Sequence, residues 1–148
     1  MDNEKGMIII GSDHAGFRLK EVIKEYLLSL GFGCEDIGTH SEDSVDYPDF
    51  AMQVGKMVSA GKYERGILIC GTGLGMSMAA NRFPGIRAAL CNDLFSAIMS
   101  RRHNDANILA MGGRVVGEEL AREIVRCWLE TPFDGGRHCG RLKKFDHI

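Results

Sequence analysis

The chain has 148 residues, with 18 Lys+Arg against 20 Asp+Glu, a net charge of -2 and 45% hydrophobic residues. That length fits a single domain, 1–148, able to bury a core without disulfide or metal staples, and a charged fraction of 26% argues against wholesale disorder. The near-neutral balance leaves no electrostatic footprint for nucleic acid or an anionic membrane surface, and no apolar run approaches the ~18 residues of a membrane span.

Segment 1–6 is polar, lacks the apolar core of a signal peptide, and is expected to be disordered. Residues 7–10, Met-Ile-Ile-Ile, form a strand stopped by Gly11-Ser12-Asp13. Leu19, Val22, Ile23, Tyr26, Leu27 and Leu30 then fall on one helical face, closed by Gly31. Residues 34–37 make a weaker strand. Pro48 opens a helix with Phe50, Val54, Met57 and Val58 inward, and Gly61 ends it. Residues 66–70 are apolar throughout, as a strand covered on both faces should be. A glycine-rich loop and a short helix to about Asn81 follow, then a strand at 87–91. Asp93 is placed to cap a helix that buries Phe95, Ile98 and Met99 and ends near Arg102. A fifth strand at 108–111 precedes a helix marked by Leu120, Ile124, Val125 and Trp128, which stops before Thr131-Pro132. The remaining tail, 132–148, is basic and without apolar period over 135–144, a loop expected to contribute to a site.

Strand and helix thus alternate about five times, which predicts an α/β fold: a three-layer α/β/α sandwich around a five-stranded parallel sheet, Rossmann-like. Ligands of such sheets bind beyond the carboxyl ends of the strands, here the loops 12–16, 38–47, 71–75, 91–93 and 112–114. Five cysteines, an odd number without an export signal, predict free thiols in the reducing cytoplasm. No CxxC pair occurs and the five histidines miss zinc-ligand spacings, so no metal is expected.

Cys70-Gly71-Thr72-Gly73-Leu74-Gly75 ends the third strand and precedes a helix. Its glycines let backbone N–H groups turn inward on an anion or an enolate oxygen, and the helix start behind it favours an ionised sulfur. Met76 stands where a dinucleotide fingerprint needs its third glycine, and no lysine follows to make a nucleotide P-loop. An oxyanion loop beside a potential thiolate base remains. His103-Asn104-Asp105 offers an imidazole suited to proton transfer near neutral pH, against the alternative of a solvated residue at a helix end. Asp13-His14 lies on the ligand side of the first strand. Arg114, Arg137 and Arg141, with His138, form a cationic set suited to phosphate, whereas Arg101, Arg102, Lys143 and Lys144 read as solvated surface.

Together these pieces resemble the ribose-5-phosphate isomerase B family, which includes the galactose-6-phosphate isomerase subunits. The likeness rests on Gly11-Ser12-Asp13-His14-Ala15-Gly16, Asp46-Tyr47-Pro48, residues 66–75, Asn81, Gly85-Ile86-Arg87-Ala88, His103-Asn104-Asp105-Ala106-Asn107, Gly113-Arg114-Val115-Val116-Gly117 and Gly135-Gly136-Arg137-His138, in order from about 7 to 142. The resemblance implies a homodimer or dimer of dimers with sites at the subunit interface, acting on a sugar phosphate without metal or organic cofactor. It implies aldose-ketose isomerisation of ribose 5-phosphate and ribulose 5-phosphate. In it Cys70 is the base, Thr72 and the amides of Gly71, Gly73, Leu74 and Gly75 steady the enediolate, and His103 opens the furanose. Asp13, His14 and Asn104 hold hydroxyls, Tyr47 lines the pocket, and Arg114, Arg137 and Arg141 grip phosphate, assisted by His14 or His138. Two rivals are a six-carbon substrate such as allose or galactose 6-phosphate, and a sugar-phosphate sensor without catalysis.

Overall fold

In the computed structural model, which describes residues 5–148, the elements run β1 (Met7–Ser12), α1 (Phe17–Ser29), β2 (Gly33–Asp36), α2 (Tyr47–Ser59), β3 (Arg65–Cys70), α3 (Leu74–Ala80), β4 (Ala88–Leu90), α4 (Leu94–Arg102), β5 (Ile108–Gly112), α5 (Glu118–Glu130) and α6 (Arg137–Lys143). All five strands are parallel, in the order β2-β1-β3-β5-β4. Successive side chains of a strand face opposite layers. Ile8, Ile10, Ile67, Ile69, Leu109 and Met111 therefore pack with Leu19, Ile23, Leu27, Ile124, Val125 and Trp128, while Ile9, Leu68, Ile108 and Ala110 pack with Val54, Val58, Met76 and Ala80. Burial on both faces is why these strands read as unbroken apolar runs. The chain leaves β1 for β2 on one side and returns to β3 on the other, so the topological switch lies between the carboxyl ends of β1 and β3. No helix among the described residues is long and apolar enough to cross a membrane.

The helix ends follow their sequence signals. Gly31 and Gly61 follow α1 and α2 at φ +94° and +77°, and Asp93 Oδ1 accepts the Ser96 N–H at 2.7 Å. Five expectations change. The expected disorder of 1–6 lies outside the described residues for 1–4, but Lys5 donates to the Gly31 carbonyl (3.2 Å) and Gly6 accepts from Gly33 (2.9 Å). The tail holds helix α6, with His138 and Leu142 buried; in a helix this short two inward side chains suffice, too few to leave a visible period. Phe95 is 72% exposed, because α4 buries only Ala97 and Ser100, small residues that let it lie close to its neighbours. In α5 Leu120 is 38% exposed, and Ala121 is buried in its place. Arg101 is not surface: its side chain is 13% exposed and bonds Asp105 and the carbonyls of Ala106 and Thr131, capping backbone at the ends of α4 and α5. Lys20, at the edge of the predicted apolar face of α1, is wholly buried against Asp36.

Candidate active site

Cys70 ends β3 at the switch point, 5% exposed, between the buried sheet and the exposed Thr72 and Leu74. Its Sγ accepts the Gly73 N–H at 3.1 Å, and Thr72 Oγ1 accepts the Leu74 N–H at 3.2 Å. The turn depends on Gly73, at φ +86°, where a Cβ would sit 2.5 Å from Leu90 Cδ1 and 2.9 Å from the Met111 carbonyl carbon. Burial pushes the thiols of Cys34 and Cys91 up to about 11, which keeps both protonated at neutral pH.

The neighbouring loops converge on this turn. Gly113 donates to the Cys70 carbonyl (2.7 Å) and Arg114 to that of Gly71 (3.0 Å), which lays the Arg114 side chain over Gly71, its Nη1 3.6 Å from where a Cβ would stand. Asp13, 7% exposed, donates its N–H to the Ile69 carbonyl (3.2 Å), and its Oδ1 accepts from Gly16 (3.1 Å). His14 Nδ1 accepts the Val45 N–H at 3.2 Å. The Tyr47 ring lies so close to Gly75 that a Cβ there would fall 2.3 Å from its Cε1. Asn92 ties the turn to β5, donating to the Thr72 carbonyl (3.1 Å) and accepting from Gly112 (2.9 Å). Asn92 was not among the residues expected from the sequence; its one signal is that it follows the fourth strand, where ligand loops gather.

The other expected residues stand elsewhere. α4 and α5 run back across the sheet, so His103, Asn104 and the tail lie at its amino edge. Asn107, just before β5, accepts from Gly66 at the start of β3 (2.9 Å). The four steps from Gly66 to Cys70, at ~3.3 Å each, separate the two edges by roughly 13 Å. There His103 and His138 stack, centroids 4.4 Å apart and 15° from parallel, and Arg141 Nη1 lies 3.4 Å from His138 Nδ1. Asp134 pairs with Arg102 at 3.2 Å and donates its N–H to the Arg102 carbonyl. Desolvation, then the charges of His103, Arg137 and Arg141, lower the His138 pKa and favour its neutral form. Ring nitrogens of His103 and His138 and a carboxylate oxygen of Asp134 lie within 4.8 Å of one another, the spacing a metal ion would need. The nearly parallel rings, however, aim their in-plane lone pairs side by side rather than at one point, and Arg102, Arg137 and Arg141 surround them, so the cluster suits an anion better.

The expected residues thus form two half-sites. Cys70, residues 71–75, Asp13, His14, Tyr47 and Arg114 share the carboxyl edge; His103, Asn104, Arg137, His138 and Arg141 share the amino edge. Sequence order alone had left that division invisible.

Comparison with known proteins gives the same family from three directions. The family model described as Ribose/Galactose Isomerase matches residues 8–145. The chain is 51% identical over 141 residues to ribose-5-phosphate isomerase B of Escherichia coli (strain K12), covering 95% of each. It superposes with a TM-score of 0.93 on the ribose-5-phosphate isomerase B structure from Clostridium thermocellum, at 55% identity and 95% coverage of both chains. The Thermotoga maritima structure gives a TM-score of 0.93 at 56% identity, covering 96% of this chain and 98% of that one. The chain belongs to the ribose/galactose isomerase family.

Proposed function

We propose that the protein interconverts D-ribose 5-phosphate and D-ribulose 5-phosphate in a site shared between two copies of the chain. The observation that carries this reading is the Cys70 sulfur at the switch point, with the Gly73 N–H on it, inside the segment that the family model matches. The half-site at the amino edge belongs to the second copy, because Cys70 and His103 of one chain are too far apart to reach adjacent atoms of one sugar. The exposed apolar residues Leu74, Met78 and Phe95 supply surface for that contact.

Ring opening comes first. His103 of the second copy takes the proton of the C1 hydroxyl and returns one to the ring oxygen, so the hemiacetal bond breaks to an aldehyde. The Cys70 thiolate then removes the C2 proton. The C–H electron pair becomes the C1=C2 double bond, the carbonyl pair moves to O1, and an S–H forms. The Gly73 and Leu74 amides are taken by Cys70 Sγ and Thr72 Oγ1, so the Thr72 hydroxyl and the Gly71 and Gly75 amides stabilise the oxygen on which charge develops, where fixed donors contribute most. The S–H proton goes back to C1, the O2 proton transfers to O1, and C2 becomes the ketone. Atoms and electrons balance within the sugar, with no outside oxidant or reductant. Asp13, His14 and Asn104 hold hydroxyls and Tyr47 walls the pocket. Arg114 on one side, with Arg137, Arg141 and His138 on the other, takes the phosphate, and that remote binding orients the reacting carbons.

This chemistry serves the non-oxidative branch of pentose phosphate metabolism, and five free cysteines suit a reducing compartment such as the cytoplasm. A coupled assay on ribose 5-phosphate and allose 6-phosphate side by side tests the reading. Higher kcat/KM on the pentose is expected. Preference for the hexose would reassign the substrate, and turnover of neither would leave a sugar-phosphate binder without catalysis.

A further inference from the structure

Among the described residues, Asp105 is the one non-glycine with a left-handed backbone, φ +46°. Such a conformation persists only where the surroundings over-determine it, and here they do. The Asp105 carboxylate spans two arginines, Oδ1 to Arg101 Nη1 at 2.9 Å and Oδ2 to Arg87 Nη2 at 3.4 Å. Its carbonyl accepts Arg87 Nε at 2.8 Å, and its N–H donates to the Arg101 carbonyl at 3.2 Å. Both guanidiniums are mostly buried, with side chains 18% and 13% exposed. Arg87 comes just before β4 and Arg101 from the end of α4, so the carboxylate fastens the turn to two separate parts of the chain. The Asn107 side chain completes the tie, accepting the Arg87 N–H at 2.8 Å. His103, two residues before Asp105, stacks on His138 in the half-site at the amino edge.

We propose that Asp105 is a positioning residue: its carboxylate, bridged by Arg87 and Arg101, sets the turn that presents His103 to the furanose. This rests on the reading of His103 as the ring-opening group. It follows that Asp105 matters to a furanose substrate and not to proton transfer at Cys70. The open-chain ketose separates the two, since its 5-phosphate leaves no hydroxyl to close a five-membered ring. In heavy water the Cys70 thiolate removes a C1 proton from ribulose 5-phosphate, the S–H exchanges with solvent, and deuterium returns to C1. No ring opening is involved.

The experiment compares Asp105→Ala, Asp105→Gly and Asp105→Asn with His103→Ala, measuring turnover of ribose 5-phosphate and C1 deuteration of ribulose 5-phosphate. A loss of at least ~10-fold in kcat on the aldose is expected for the alanine variant, the scale of a misplaced acid-base group, with deuteration within about three-fold of wild type. The glycine variant relieves the backbone but lacks the acceptor, and is expected to be as slow as alanine. Asparagine tolerates the left-handed region and keeps one acceptor, so it should recover most of the rate. Wild-type turnover in the glycine variant, or equal loss of turnover and deuteration in the asparagine variant with its fold intact, would overturn the proposal. Full aldose turnover in His103→Ala would instead overturn the reading on which it rests.

Discussion

Replacing Asp36 should cost far more stability than replacing Lys20, although the two form one ion pair. Lys20 Nζ is wholly buried, 2.6 Å from Asp36 Oδ2 and 3.1 Å from a Glu21 carboxylate that is 44% exposed. Asp36 also holds Lys24 Nζ at 2.7 Å and the Gly38 N–H at 2.9 Å. Asp36→Ala therefore leaves a buried ammonium with one partly solvated partner, the situation that costs about 3–5 kcal/mol. Lys20→Met leaves Asp36 with Lys24 and the Gly38 amide and puts an apolar chain of similar volume in an apolar slot, for about 2 kcal/mol or less. The double variant removes the stranded charge and should recover roughly 1–3 kcal/mol of the Asp36→Ala loss. Urea unfolding at pH 7 and one fixed protein concentration reads all four species. If Lys20→Met were the costlier change, or the two losses simply added, the stranded ammonium would not be what makes Asp36→Ala costly. Acid titration gives a second check. Burial alone would raise the Asp36 pKa, but the hydrogen bonds from Lys20, Lys24 and the Gly38 amide outweigh it and hold the group below the ordinary carboxylate range. Its contribution is complete above the unfolded value of about 4 and is lost as pH falls through the lower folded value. The stability gap between wild type and Asp36→Ala should shrink across that interval.

Cys70→Ala should lose at least ~10²-fold in kcat while still binding sugar phosphate; near-normal turnover in a purified sample would remove the thiol from its role. Arg137→Ala should raise KM and, through the lost orientation, also lower kcat, and an unaltered affinity for inorganic phosphate would place that arginine outside the site. Gly73→Ala forces a Cβ to 2.5 Å from Leu90 and 2.9 Å from Met111 at φ +86°, so it should lower the midpoint of thermal unfolding and abolish activity together. A variant as stable as wild type would contradict the close approach.

The architecture was legible because local signals agreed. β-branched runs, helical periods and the glycines at 31 and 61 all point to one layered arrangement, and the cysteine loop falls at a strand end where ligands gather. What stayed hidden depends on distance through space. Lys20 looks like a misplaced charge until Asp36 is folded against it, and Phe95 looks like core because an apolar residue carries no mark of the side that will be covered. The division of the site into two edges depends on α4 and α5 running back across the sheet, and residue order gives no hint of it.

The central claim is that Cys70 of one chain works with His103 of another. Chains carrying Cys70→Ala and chains carrying His103→Ala, each inactive alone, can be unfolded together and refolded as a mixture. Half the dimers are then mixed, and each mixed dimer has one site with both groups intact, so about a quarter of wild-type activity should return. A mixture as inactive as its components, despite mixed dimers being present, would mean that the two residues serve a site within one chain.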